Sequence, residues 1–164
     1  MHGRYKAFGG GRWHARPVVI RPARAADASA ICVIVERAYG GYVERIGRRP
    51  APMDDDYGAK VREGGVFVAE DGAVAGVLVL VANVDHVLVE NVAVDPRRQG
   101  RGIGRALFGF AESFARAHGT PELRLYTNAA MVENVALYPR LGYREDGRRV
   151  QDGFDRVFFS KRLT

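Results

Sequence analysis

Apolar residues recur along this chain in two rhythms, and each change of rhythm marks an element. Val18-Val19-Ile20-Arg21 reads as a short opening strand. Asp27 stands where an N-cap belongs, ahead of Ala30, Ile31, Ile34, Val35 and Ala38 at helical spacing up to Gly40-Gly41. Residues 39–53 then read as a mixture of helix and loop. Three strands follow: 66–70, 74–81 after a hairpin turn at Asp71-Gly72, and 87–94. Almost every residue in them is apolar, so both faces of their sheet require cover. From Arg101 to His118, Ile103, Leu107, Phe110, Phe114 and Ala117 step by four and three, which predicts one long amphipathic helix ended by Gly119 and Pro121. A strand at 123–127, a shorter helix at 131–141 closed by Gly142, and strands at 144–149 and 156–161 around Asp152-Gly153 complete the pattern. The fold class is mixed α/β, a central twisted sheet of six to seven strands with helices on both faces.

Composition narrows the possibilities. The chain has 164 residues, 47% hydrophobic and 27% charged, which excludes a disordered or collagen-like polymer. A single cysteine, Cys32, excludes a disulfide framework and a cysteine-built zinc site, and its place on the first helix reads as a small core residue. No apolar run reaches about 18 residues, so no membrane span or membrane partner is expected. The first residues lack the apolar core of a secretory signal, and a cytoplasmic location is expected.

The net charge of +6 hints at an anionic partner. Four basic and no acidic residues lie within 1–16, together with Gly9-Gly10-Gly11; this reads as a flexible basic extension ahead of a single domain at 17–164. Trp13 is unusual in such a segment. No helix-turn-helix, zinc or RNA-binding motif accompanies the charge, so nucleic acid is not expected as a partner. Asp54-Asp55-Asp56 reads as helix capping with dipole compensation rather than a metal site, because three adjacent carboxylates cannot all face one ion.

The chemistry concentrates at residues 92–107. A buried strand stops at Pro96, and Gly100, Gly102 and Gly104 open the long helix. Backbone N–H groups at such a helix start are unpaired and favour anions, and glycine lets an anion approach closely. Arg97, Arg98, Arg101 and Arg105 add charge facing the same phosphates. The spacing fails the Rossmann fingerprint, because Arg105 stands where its last glycine belongs, and no Gly-Lys-Ser/Thr follows to make a P-loop.

What remains is Gln99-x-x-Gly102-x-Gly104 after Glu-Asn-Val-Ala-Val-Asp-Pro. At this junction the sequence resembles the GNAT superfamily of N-acetyltransferases, whose acetyl-CoA motif is Gln/Arg-x-x-Gly-x-Gly/Ala. Asn134-Val135-Ala136-Leu137-Tyr138-Pro139-Arg140-Leu141-Gly142-Tyr143 resembles the family's second landmark. The order of elements fits over roughly nine-tenths of the chain.

The resemblance implies acetyl-CoA as cosubstrate, no metal, and direct transfer to a primary amine of a small molecule or peptide. The backbone of Val92, Ala93 and Val94 would pair with the pantetheine arm like an added strand. Amides of Gln99, Gly100, Arg101, Gly102, Ile103, Gly104 and Arg105 would hold the pyrophosphate. Tyr138 would protonate the departing thiolate, its rival role being a core aromatic. Many members carry Asn seven residues before that tyrosine, where this chain has Met131; Asn134 and Asn128 are the substitutes, and Asn134 is the nearer. By analogy with the family, the acceptor lid would fall within 39–53, with Tyr39, Tyr42, Arg45 and Met53 as its contacts and Arg45 meeting a carboxylate. A homodimer and a non-catalytic CoA-binding regulatory module remain open alternatives.

Glu90 is the candidate base, since a carboxylate amid Val87-Leu88-Val89 and Val92-Ala93-Val94 is costly unless paired or functional. Strand alternation would put it on the same face as Val92. His86 is a weaker candidate for a second proton carrier, and His118 reads as a helix C-terminal cation.

Overall fold

The computed structural model describes residues 17–164, together with the backbone of 4–6 and 12–14. A short ladder pairs β1 (Arg4–Lys6) with β2 (Arg12–His14). The remainder of the expected basic extension, and the side chain of Trp13, lie outside the described residues.

The body runs β3 (Val19–Pro22), α1 (Ala28–Tyr39), α2 (Val43–Ile46), α3 (Tyr57–Glu63), β4 (Val66–Glu70), β5 (Val74–Ala82), β6 (Val87–Val94), α4 (Ile103–Ala117), β7 (Glu122–Asn128), α5 (Val132–Arg140), β8 (Arg144–Gln151) and β9 (Phe154–Arg162). The seven strands from β3 onward form one sheet in the order β3-β4-β5-β6-β7-β9-β8. Every pairing is antiparallel except β6 with β7. Among the described residues, no helix is long and apolar enough to cross a membrane.

Helices cover both faces. On one, Ile31, Ile34 and Val35 of α1 and Tyr57 of α3 meet Val66, Val68, Val77, Val79 and Ala93. On the other, Ile103, Leu107, Phe108, Ala111 and Ala115 of α4 meet Leu78, Val87, Val89, Leu123, Leu125 and Phe159. The buried stripe of α4 differs from the expected one at its end. Ala117 is exposed, and Ala111 and Ala115 lie on the sheet instead, because a 3.6-residue turn carries a four-three stripe around the helix. Cys32 is exposed on α1, contrary to its core reading; the neighbouring Ile31 takes the inward position.

Two capping expectations divide. Asp56 caps α3, its carboxylate accepting from Ala59 N at 3.0 Å. Asp27 precedes α1 but makes no side-chain cap bond to it. Its carboxylate accepts from Arg24 N at 2.7 Å and from both Nη atoms of Arg21 at 2.8 and 3.0 Å, while Arg21 also reaches Glu70 at 2.7 Å. This cluster ties β3 to β4 and to the start of α1.

Candidate active site

The site begins where two parallel strands part. β6 pairs with β7 only over Val87–Val89, opposite Leu123–Leu125. Beyond that, β6 keeps its β5 partners as far as Val94, and β7 keeps its β9 partners as far as Asn128. Among the described residues, the edge of β6 from Glu90 to Val94 that faces β7 is therefore left without a strand partner.

A bulge accompanies the parting. Val79 opposes Asn91 while Leu80 opposes Val89, so Glu90 is the extra residue. Two consecutive side chains thereby turn toward α3. Lys60 Nζ donates to Glu90 Oε2 at 3.0 Å, and Asn91 Nδ2 donates to Tyr57 Oη at 3.0 Å. Val92, in contrast, packs with the α4 core. The expectation that Glu90 and Val92 share a face fails for this reason: the bulge cancels the two-residue alternation. Tyr39 Oη closes the network, donating to Asn91 Oδ1 at 2.6 Å.

Two cavities flank the gap. The first, about 370 Å³, runs along Val92, Ala93 and Val94 to Gln99, Gly100, Gly102, Ile103, Gly104 and Arg105. Gly100 and Gly102 both have φ of +80°, the left-handed region where a Cβ is strained. Gly102 is the residue before α4, whose first internal bond is Ala106 N to Gly102 O. Among the described residues, the amides from Gln99 to Arg105 donate no hydrogen bond to the protein, so a ring of free donors lies at the positive end of a 15-residue helix.

The second cavity, about 230 Å³, reaches Glu90, Asn91, Asp55, Tyr126, Asp152, Phe154 and Arg156 beneath the segment Pro50–Pro52. Burial holds the Asp55 carboxyl above the usual carboxylate range, against the pull of Lys60 3.7 Å away. Both cavities are lined by Tyr39, Val92, Met131, Asn134 and Tyr138. Tyr138 packs edge-on against Phe108 and Tyr143, and desolvation pushes its phenol up to about 12, so it stays protonated at neutral pH.

A strand-to-helix anion cradle, a parted strand pair and a second cavity meeting at a protonated tyrosine decide the family together with a match of residues 31–143 to the model described as Acetyltransferase (GNAT) family. The chain belongs to the GNAT family. It is 37% identical over 59 residues to a mycothiol acetyltransferase of Acidothermus cellulolyticus, a match covering 36% of this chain and 18% of that one. It is 31% identical over 78 residues to the [ribosomal protein bS18]-alanine N-acetyltransferase of Escherichia coli, covering 48% and 53%. The matches thus span about half or less of these curated relatives. The crystal structure of PaiA N-acetyltransferase from Thermoplasma acidophilum, in complex with coenzyme A, superposes with a TM-score of 0.73 at 15% identity, over 90% of this chain and all of that one. It shares the fold.

Within this GNAT chain, the residues singled out in sequence distribute unevenly. Of the loop, Arg101 alone does not line the first cavity; it reaches Asp71 of the β4–β5 turn at 3.3 Å. Arg98 donates to Asp71 O, and Arg97 is locked on buried Asp95 at 3.0 Å. The four arginines do not all face a phosphate, then: carboxylates within reach hold three of them, and the backbone supplies the free donors. Tyr39 lines the second cavity, but the three other residues expected to contact an acceptor do not. Tyr42 lines the first cavity, Arg45 pairs with Glu133 at 2.8 Å, and Met53 packs against the α1 core. Short helical turns on either side of α2 rotate these side chains away, and Ile46, Pro50, Ala51 and Pro52 line the cavity instead. His86 lies on the opposite side of the β6–β7 pairing, 2.7 Å from Asp85. His118 follows α4, bonds Phe114 O at 3.1 Å and stacks on the Phe114 ring.

Asp55, Tyr126 and Arg156 escaped the sequence reading. Asp55 sat within a run explained by capping, and the other two lie on strands whose pairing partners bring them to the cavity. An alternating strand at 122–128 with a polar-face tyrosine was the only available signal.

Proposed function

We propose that residues 17–164 form one catalytic unit, an acetyl-CoA-dependent N-acetyltransferase acting on a primary amine in a ternary complex. The observation that carries this reading is the junction of the two cavities at Val92, Asn134 and Tyr138. An anion-binding cleft ends there, and an acidic cavity opens from the same point. A thioester carbon held at the junction would be open to attack from the Glu90 side.

The chain's groups divide the work. Free amides from Gln99 to Arg105 hold the pyrophosphate, and the unpaired β6 edge holds the pantetheine arm. Glu90 accepts a proton from the incoming ammonium, directly or through water, which frees the nitrogen lone pair. The C–N bond forms, and a backbone amide near Val92 stabilises the oxygen as it gains charge. The C–S bond then breaks, and the Tyr138 phenol donates its proton to the thiolate. The second proton on the nitrogen leaves as the intermediate collapses and balances the one Tyr138 gave up. Cys32 lies exposed on α1, outside the residues lining either cavity, so no acyl-enzyme step is assigned.

The test is a free-thiol release screen with acetyl-CoA against small amines, amino acids and peptide N-termini, paired with calorimetric binding of acetyl-CoA. Amine-dependent thiol release is expected. Binding without release for every amine would reduce the protein to a CoA-binding module.

A further inference from the structure

Arg156 is a buried cation that the mechanism does not use. Its side chain is 8% exposed, and its guanidinium carbon lies 4.3 Å over the Tyr126 ring. Nη1 donates to Gln151 Oε1 at 2.9 Å and to Asp152 Oδ2 at 3.3 Å. Among the described residues, Nε and Nη2 have no hydrogen-bond partner, although Arg156 lines the acceptor cavity. A guanidinium presents five donors, and these two atoms are not sealed off, so a ligand or water in the cavity can meet them. Asp152 is mostly exposed and offsets little of the charge.

The same cavity carries carboxylates at its other end. Glu90 and Asp55 lie on the α3 side, and Tyr126 stands between them and Arg156. Burial raises the Tyr126 phenol first; Arg156 then opposes that shift, while Glu90 and Asp55 add to it, so both ends act on one ring. Outside, Arg48 stacks on Phe154 at 3.7 Å, and Phe154 lines the cavity.

We propose that Arg156 is the receptor for a carboxylate carried by the acceptor, so that the substrate is an amino acid or short peptide whose amine and carboxylate are separated by several atoms. The inference rests on the acetyltransferase reading and adds the acceptor's chemical class. Glu90 marks the amine end on β6, and Arg156 on β9 lies two strands away across the point where β6 and β7 part, so the backbones are further apart than the roughly 10 Å of two paired-strand spacings. That separation favours an amine and carboxylate set several atoms apart over a pair on one carbon. The planar Nε/Nη2 fork matches a carboxylate edge-on. The surrounding carboxylates favour a monoanion over a doubly charged phosphate. The role differs from that expected of Arg45, which Glu133 already neutralises.

The experiment compares acids with their amides: β-alanine, 4-aminobutanoate, 5-aminopentanoate and glycylglycine. One arm measures thiol release from acetyl-CoA. The other measures calorimetric binding of the N-acetylated acids and amides to the CoA-loaded protein, which needs no turnover. At least one acid should exceed its amide by about 10-fold or more in kcat/KM and in affinity. Arg156→Met should bring that ratio close to one, and Arg156→Lys should lower it several-fold. The Lys variant keeps the charge while removing the fork, and so serves if the Met variant does not fold. A ratio near one in the wild type, a ratio that survives both substitutions, or binding of neither acid nor amide overturns the proposal. Should no amine release thiol, the acetyltransferase reading falls, and the binding arm still decides Arg156.

Discussion

Lys60 Nζ lies 3.0 Å from Glu90 Oε2, with both side chains largely buried. Burial disfavours the Lys60 ammonium, but Glu90 and Asp55 outweigh it and hold the amine above the ordinary lysine range. The proposed base is thus paired with a cation carried on α3. Glu90→Gln should lower kcat by about 10²-fold or more. Lys60→Met should lower it less, and the double variant should be no worse than Glu90→Gln alone, because the two act as a unit. Steady-state kinetics of the four-member cycle checks this; additive losses would restrict Lys60 to a structural role.

Tyr138 and Tyr143 pack edge-on in one cluster, yet their hydroxyls differ. Tyr138 lines the junction of the cavities, whereas the Tyr143 hydroxyl is buried without a hydrogen-bond partner among the described residues. Tyr138→Phe should therefore lower kcat by about 10²-fold with acetyl-CoA affinity and stability close to wild type. Tyr143→Phe should leave kcat alone and raise stability by about 1 kcal/mol, since it removes an unmet buried polar group. Unchanged turnover in Tyr138→Phe would remove that phenol from the mechanism.

The order of elements was readable because period-two and period-3.6 patterns are long here and punctuated by Gly100, Gly119 and Gly142. The anion cradle was readable because it is local, built within residues 99–105. The second cavity was not. Arg156 meets Tyr126 through β7–β9 pairing, and Glu90 meets Lys60 only because a bulge on β6 turns it toward α3. A bulge leaves no trace in alternation: Glu90, Asn91 and Val92 look regular in sequence. Charge was misleading for a related reason. Four arginines in a row of nine residues suggest a phosphate grip, but Asp71 and Asp95, at either end of β5–β6, hold three of them.

The cradle's geometry predicts opposite outcomes for two of its glycines. Gly102 has φ of +80°, so Gly102→Ala should cost about 1–2 kcal/mol of stability. It should also weaken acetyl-CoA binding, because the strained residue orients the free amides. Gly104 lies within α4, and a Cβ there would meet Val94 Cγ2 at 3.8 Å, an ordinary contact. Gly104→Ala should raise stability by up to about 1 kcal/mol through helix propensity. Thermal unfolding and calorimetric acetyl-CoA titrations of both variants provide the check. Equal destabilisation by both would mean the loop conformation does not depend on Gly102.

The Arg21–Asp27–Glu70 cluster should make stability fall in acid. Hydrogen bonds from Arg21 and from Arg24 N, working against desolvation, hold the Asp27 carboxyl down at about 2, against an ordinary 3.8. A carboxyl depressed in the folded state binds fewer protons there than in the unfolded chain. Its stabilisation is complete above pH 3.8 and disappears as pH falls toward 2. Allowing for solvent screening, Asp27→Asn should cost about 1–2 kcal/mol at neutral pH. The gap between wild type and variant should stay constant from neutrality down to about pH 4 and close below it. Urea unfolding at a series of pH values measures the gap directly. A gap that persisted unchanged at pH 2 would mean that shape and hydrogen bonding, rather than charge, make Asp27 hold β3 to α1.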